Sequence, residues 1–522
     1  MTESQNPAKI RVRFPPSPTG RLHLGNLRTA LFNWLFARHS SGDFVFRIED
    51  TDKERSKKEF EESIIEAMNW LGLNWDEGIG KERPGMSYRQ SERTDIYHSH
   101  LERLLREGQA YWCYCAKEEL EAEKALAAAE GRPVKYSGKC RNLSGSPDGK
   151  TPQVIRLKVD PQTIVFTDLI RGEVKFDTAL LDDFVVAKNL DEPLYNFAVV
   201  VDDEDMRITH VIRGEEHISN TPRQILILNA LKKPMPLYAH LPLILNAQRA
   251  KLSKREADVA VLDYRDKGYL PEAVINFLVL MGWHPSHDKE VFTLSELIAE
   301  FDLLRVQKAG AVFNEEKLNW LNKEHMKKLS LSELDQKLAP FFSNKIKAGD
   351  TELRMAALAL VRDRMVTLKD FNDLVEFFFV LPDYSADLLI WKKGSREETR
   401  EVLADILTAL NSSNELTREA LENDLLQLID KYGKGVIKIE NQNSGMLVIG
   451  WLHDKLNDQE VAAYLEKAGV KSIALSLYTQ KHKHKPALIL GYTAFNEKKI
   501  KEYTLLMIEV IKKFMSSKKI VI

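Results

Sequence analysis

The sequence predicts an α/β chain whose parallel-sheet domain is interrupted by an inserted α+β segment and followed by an all-α region and a small α+β C-terminal unit. Three observations predict it. A strand, tight turn and helix open the chain and recur once; helical periodicity takes over beyond about His325; and Arg418 is the last arginine, everything after it using lysine alone.

Residues 10–14 (IRVRF) read as the first strand. Leu24, Leu27, Ala30, Leu31, Trp34 and Leu35 then recur at helical spacing to about Arg38. DFVFRIED alternates Phe44, Phe46 and Ile48 as a second strand, and an amphipathic helix runs through Phe60, Ile64, Met68 and Leu71. From Tyr111 to about Leu190 the rhythm breaks. An Ala/Glu-rich helix near 117–130 is followed by Gly, Pro and Ser punctuation and the strand-like runs VIRLKV and TIVFTDLI, which together read as an inserted domain. FAVVVDD and ITHVIRGEE then read as strands resuming the sheet. Helices dominate to Tyr432. The tail after Gly433-Lys434-Gly435 reads as a strand (GMLVIGWL), a helix (NDQEVAAYLEKAG, with Gly469 just past its end), strands SIALSLYT and PALILGYT, and a helix from about Asn496. The expected boundaries are 1–110, 111–190, 191–245, 246–325, 326–433 and 434–522.

A chain of 522 residues needs several packed domains. Hydrophobic residues at 44% and charged residues at 29%, with Gly and Pro dispersed, indicate folding throughout. No apolar run is long enough to cross a bilayer, so a cytoplasmic protein without membrane contact is expected. The 75 basic and 77 acidic side chains nearly cancel, so any polyanion has to be held by a local basic surface. The three cysteines, Cys113, Cys115 and Cys140, sit in one short stretch and are the wrong pattern for a disulfide framework; free thiols and metal ligands both remain open.

Two motifs carry chemistry. The first, PSPTGRLHLGN from Pro16 to Asn26, lies at the turn between the first strand and its helix. Backbone N–H groups at a helix start bind phosphate, His23 can donate to phosphate oxygens, and Gly25 has no Cβ to block an adenine. The second is Lys251-Leu252-Ser253-Lys254-Arg255, where ammonium groups flanking a hydroxyl would meet the charge of departing pyrophosphate.

PPSPTGRLHLGN and AKLSKR resemble the two signature motifs of class I aminoacyl-tRNA synthetases, usually written HIGH and KMSKS. RIEDTD (47–52), SERTDIYHSHLERLLREGQAYWC (91–113), LYNFAVVVDDEDMRITHVIRGEEHISNTPRQ (194–224) and FNEEKLNWLN (313–322) narrow the resemblance to bacterial glutamyl-tRNA synthetases, from about Arg11 to about Tyr432. The resemblance implies a Rossmann-like class I synthetase catalytic domain (1–110 and 191–245) and an inserted domain for the tRNA acceptor end (111–190). It further implies a stem-contact region with the KLSKR loop (246–325) and an all-α anticodon-binding region, truncated, at 326–433. It implies ligation of L-glutamate to tRNA(Glu) through a glutamyl-adenylate, with ATP and Mg2+, by a monomer. Carried over residue by residue, Arg13, Pro15, Ser17, Glu49, Tyr195 and Arg213 would form the glutamate pocket, and His23, Gly25, Asn26, Glu216, Lys251 and Lys254 would meet ATP. His23, Gly25, Lys251, Ser253 and Lys254 would be the catalytic set. A guanidinium offers a bidentate fork to a carboxylate, which separates glutamate from neutral glutamine. As bland alternatives, Arg13 and Glu49 would pair with each other and Tyr195 would be core.

By the same resemblance the three cysteines could hold a structural zinc. Where some family members place a histidine two residues after the third cysteine, this chain has Asn142, leaving Tyr136 as the fourth ligand, as in a related glutamyl-queuosine synthetase; buried unliganded thiols are the alternative. The tail from about 434 departs from the synthetases. It resembles the C-terminal lobe of fold-type-I pyridoxal-phosphate aminotransferases, yet it has no arginine and no larger domain with a Schiff-base lysine, so no pyridoxal phosphate is expected.

Overall fold

The computed structural model describes residues 9–518 except 53, 132–134, 144, 148, 251–259, 348–349, 382, 391–394, 398, 402, 405–436, 440–446, 479–484 and 492–496. The chain forms two compact units, Met1–Leu381 and Pro382–Ile522.

The first unit opens with β1 (Arg11–Phe14), α1 (Leu24–His39), β2 (Asp43–Phe46), α2 (Lys58–Trp70) and β3 (Glu77–Gly78). β1, β2 and β3 are parallel, in register Val12↔Phe44 and Phe46↔Gly78. The sequence-predicted second strand stops at Phe46; beyond it only Ile48 makes a bridge, to Arg89. After α3 (Thr94–Arg106) come β4 (Ala110–Cys113), α4 (Lys117–Ala129), β5 (Val154–Leu157), β6 (Thr163–Asp168), β7 (Gly172–Asp177) and β8 (Val185–Ala187). β4, β5 and β8 form a separate antiparallel sheet, whereas the β6–β7 hairpin reaches back to the main one.

The main sheet resumes through α5 (Tyr195–Asp205), β9 (His210–Gly214), α6 (Thr221–Ala230) and β10 (Leu237–Leu241). β10 pairs in parallel with β9 and touches β6 at Tyr238↔Asp168. Thr209 donates its N–H to the Arg11 carbonyl (2.9 Å) and Leu237 donates to the Thr209 carbonyl (2.9 Å), which places β9 between β1 and β10. Chain order therefore reverses between β1 and β9, the position at which open parallel sheets leave a crevice beyond their carboxyl ends.

FAVVVDD is helix, not strand. Phe197 through Asp203 are all buried within α5, so the run shows no polar face, and continuous burial erases the periodicity by which a strand and a helix differ in sequence. The core of this unit includes Val12, Leu31, Phe44, Phe46, Val199, Ile212 and Leu241.

Beyond β10 the unit turns helical, with segments at Glu315–Lys328, Leu331–Leu338, Thr351–Val361 and Asp370–Phe379. Leu334, Leu338, Leu358, Phe371 and Val375 share their core. Ser330 and Glu333 close a reciprocal cap at one start: Ser330 donates its N–H to the Glu333 carboxylate (2.8 Å) and the Glu333 N–H reaches the Ser330 hydroxyl (3.2 Å). The expected continuation of helices to Tyr432 falls at 405–432 outside the described residues.

In the second unit, Ile437–Ile439, Leu447–Leu452, Ala487–Gly491 and Ile473–Ala474 form an antiparallel sheet in that order, with helices Asp458–Lys467 and Glu497–Ser517. The α+β reading of the tail holds. SIALSLYT is the exception: only Ile473 and Ala474 pair as strand, and Leu475–Leu477 wind into a 3-10 turn, Ser476 donating its N–H (3.0 Å) and its hydroxyl (2.8 Å) to Asp458. Gly469 takes φ +83° just past its helix, as a left-handed cap requires. Among the described residues no helix is long and apolar enough to cross a membrane.

Candidate active site

Two neighbouring strand ends and one helix start frame the crevice. After β1, Pro15, Pro16 and Pro18 restrict the backbone of the turn. The turn is pinned to the segment after β2 by the Glu49 N–H on the Pro16 carbonyl and the Lys57 N–H on the Pro18 carbonyl, both 3.0 Å. Pro15 is half-buried and Ser17 exposed. His23 holds the N-cap position of α1 in extended backbone (φ −99°, ψ 160°), and the first turn contains no acidic side chain. Gly25 and Asn26 are exposed, and a Cβ on Gly25 would meet nothing within 4 Å, so the helix start faces open space. The N–H groups of a helix's first turn have no partner within the helix, which makes such a start attractive to an anion.

The second motif, Lys251, Ser253, Lys254 and Arg255, lies outside the described residues, but both its flanks are fixed. Asn246 and Ala250 close a turn on the near side, the Asn246 N–H donating to the Ala250 carbonyl (2.8 Å). On the far side Ala260 bridges His23, and Val261 donates its N–H to the Leu22 carbonyl (2.9 Å). The chain thus returns from the second motif directly onto the first.

Beside this helix start, the structure brings Arg13, Glu49, Tyr195 and Arg213 together. Arg13 and Glu49 do not pair with each other. Arg13 donates Nε to both oxygens of Asp203 (3.2 Å each), and Glu49 accepts from Arg47 Nη2 (3.1 Å). Arg47, fully buried, also donates to Asp203 (2.8 Å), so one carboxylate serves two guanidiniums. Burial pushes the Glu49 carboxyl up, against the pull of Arg47 and Arg13. Burial raises the Tyr195 hydroxyl to about 12, with the Glu49 charge adding to it, and that hydroxyl lies 3.3 Å from His217 Nδ1.

Arg213 differs from Arg11, Arg13, Arg47 and Arg93, which are buried against carboxylates, whereas Arg28 and Arg156 donate to backbone carbonyls. Arg213 Nε meets His240 Nε2 (3.2 Å) and its Nη2 donates to the Thr221 hydroxyl (2.8 Å); among the described residues no carboxylate forms an ion pair with it. Burial pulls its guanidinium below the ordinary arginine range. A buried cation with neutral partners is suited to an incoming carboxylate. Glu216 is exposed next to His217 (4.0 Å), whose imidazole is held neutral, at about 4, by burial and by Arg213.

The sequence reading named Arg13 and Arg213 but missed Arg47, Asp203, His240 and Asp168. Their signal was present as charged or polar residues inside apolar runs (FAVVVDD, LYAHLPL), where a buried polar group needs a partner.

In the inserted segment the sulfurs of Cys113, Cys115 and Cys140 lie within 4.8 Å of one another, all buried. Cys115 Sγ is 3.7 Å from Cys140 Sγ, and the Tyr136 hydroxyl is 3.5 Å from Cys113 Sγ and 3.9 Å from Cys115 Sγ. Tetrahedral zinc with Zn–S bonds of about 2.3 Å sets its sulfurs about 3.8 Å apart, so the donors fit the ion. Burial pushes Cys113 up, but the Tyr136 hydroxyl and Arg156 outweigh it and hold it below the usual thiol range. Cys115 is pushed up to about 12 by burial and Cys140.

Residues 9–320 match the family of class I tRNA synthetases (E and Q), catalytic domain, and residues 318–439 match an anticodon binding domain. A glutamate-tRNA ligase of Sulfurihydrogenibium sp. is 45% identical over 81% of this chain and 90% of its own length; that of Aquifex aeolicus is 46% identical over 80% and 88%. The crystal structure of a glutamate tRNA ligase from Elizabethkingia meningosepticum in complex with its amino acid aligns with a TM-score of 0.73 at 32% identity, covering 97% of this chain and 99% of the other.

Proposed function

The chain belongs to the glutamate-tRNA ligases, class I aminoacyl-tRNA synthetases that join L-glutamate to tRNA through an ATP-derived glutamyl-adenylate, and we propose that Arg13, Pro15, Ser17, Glu49, Tyr195 and Arg213 bind its glutamate. The observation that carries this reading is Arg213, a buried cation without a carboxylate partner among the described residues, on the strand next to Arg13. Arg213 takes the substrate side-chain carboxylate, Glu49 the α-ammonium group, and Tyr195 packs between them.

His23, Gly25 and Asn26 at the start of α1 receive ATP, together with Glu216, Lys251 and Lys254. Magnesium accompanies the phosphates. The α-carboxylate of glutamate attacks the α-phosphorus, the bond to pyrophosphate breaks, and the lysines with Ser253 offset its charge as it leaves. A ribose hydroxyl of the terminal adenosine of tRNA(Glu) then attacks the activated carbonyl and AMP departs. No side chain has to act as a strong acid or base; positioning and charge carry the rate.

Cys113, Cys115, Cys140 and Tyr136 hold a structural zinc, which would cross-link the inserted acceptor-end domain and perform no chemistry. The enzyme acts as a cytoplasmic monomer. The tail from about 434 is an aminotransferase-lobe-like unit without pyridoxal phosphate, a reading supported by its antiparallel sheet and two helices; a purified protein with cofactor absorbance would contradict it. Charging of bulk tRNA with radiolabelled glutamate and glutamine tests the main reading. Glutamyl-tRNA is expected, and its absence would overturn the assignment.

A further inference from the structure

Arg213 is held from behind by a line of buried polar groups that the reaction itself does not use. Asp168 ends β6, His240 lies on β10 and Arg213 on β9; Tyr238 is in register with Asp168, and His240 with Arg213. Asp168 and His240 have fully buried side chains, and His240 Nδ1 lies 2.6 Å from Asp168 Oδ2. The other Asp168 oxygen accepts the backbone N–H groups of Ile170 (2.9 Å) and Arg171 (2.8 Å).

These contacts fix where the imidazole proton sits. A carboxylate only accepts, so His240 Nδ1 carries the hydrogen and Nε2 presents a lone pair, which accepts from Arg213 Nε (3.2 Å). Thr221 completes the fork by accepting from Arg213 Nη2 (2.8 Å), and the Tyr238 ring lies 5.6 Å from the guanidinium. Arg13 offers the contrast. Its guanidinium is fixed by a carboxylate, Asp203, and is therefore largely neutralised before any ligand arrives.

We propose that His240, locked by Asp168 in the Nδ1–H tautomer, is a positioning residue that orients Arg213 through a neutral acceptor and so leaves the full positive charge to the carboxylate of glutamate. The inference rests on the reading of Arg213 as a glutamate ligand. It extends that reading to specificity: an arginine fixed without neutralisation favours glutamate over glutamine, whereas one already paired with a carboxylate would favour it far less.

The test is tRNA charging kinetics of the full-length enzyme with H240F, H240Q, D168N and R213A. H240F removes the acceptor while keeping a planar ring. D168N offers an amide hydrogen to the imidazole and so inverts its tautomer, turning a donor toward Arg213. Both are expected to raise the KM for glutamate about tenfold, with the KM for ATP and kcat within about twofold of wild type. H240Q, whose carboxamide oxygen can accept from Nε, recovers most of the loss. An unchanged glutamate KM in H240F and D168N overturns the inference, and so does a parallel loss of ATP affinity, which marks a purely structural role. R213A separates the two readings. If it leaves the glutamate KM unchanged, the pocket assignment itself fails; if it raises the KM while H240F and D168N do not, only the role of His240 fails.

Discussion

Asp203 concentrates the electrostatics of the pocket in one side chain. Burial alone would raise its carboxyl, but Arg13 and Arg47 together hold it below the usual carboxylate range, so it stays ionised at neutral pH. Replacing it by asparagine keeps the shape but leaves Arg13 without a carboxylate and Arg47 with only Glu49 and Asp202, a change that costs about 3 kcal/mol. D203N is therefore expected to lower the urea midpoint and, by loosening Arg13, to raise the KM for glutamate; an unaltered midpoint would contradict the shared-carboxylate account. Arg13 stood out in the sequence because it lies in the strand that leads into the first motif. Asp203 was not, since a carboxylate in an apolar run declares that it is buried and leaves its partner, far along the chain, unnamed.

Among elements, the edge strand β3 hangs on one glycine. Gly78 has φ +138°, and a Cβ there would lie 2.1 Å from the Phe46 carbonyl oxygen, its neighbour in the sheet. G78A should cost about 2 kcal/mol or more, read as a fall in thermal midpoint. The helix Glu315–Lys328 supplies a pH dependence. His325, buried with its Nε2 3.0 Å from Asn276 Oδ1, is lowered by burial from 6.5 to about 4. Between these values the unfolded chain binds the proton and the folded one does not, so stability is complete above about 6.5 and declines as pH falls toward about 4. Thermal melts at pH 7 and pH 5 should diverge less in H325Q than in wild type; equal divergence would exclude His325 as the source. Elements with one wet face were readable from periodicity, as α1's neighbour α2 and the tail helix Asp458–Lys467 were. The two misread runs failed for physical reasons: α5 is buried on every side, and Asp458 draws the backbone of Ser476 away from strand pairing.

For the whole molecule, the division after Leu381 separates the unit that contains the crevice from the rest. A chain ending there is expected to keep glutamate and ATP binding in calorimetry while losing preference between tRNAs with wild-type and mutant anticodons; retained preference would place anticodon recognition within the first unit. Metal analysis of the intact protein should find about one zinc per chain, and a zinc-free, fully active preparation would leave the three cysteines as buried thiols. The chemistry was legible because the two motifs carry it in few residues. The separate sheet made by β4, β5 and β8, and the return of the β6–β7 hairpin to β10, depend on pairings between distant strands that no local pattern records.

The pairing of His23 with Ala260 bears on how such a chain can change. The described residues on either side of the lysine-bearing stretch are both hydrogen-bonded, Ala250 within its own turn and Ala260 across to His23. That bridge involves no residue between β4 and β8, so a change of length in the inserted segment leaves the return of the chain onto the start of α1 in place.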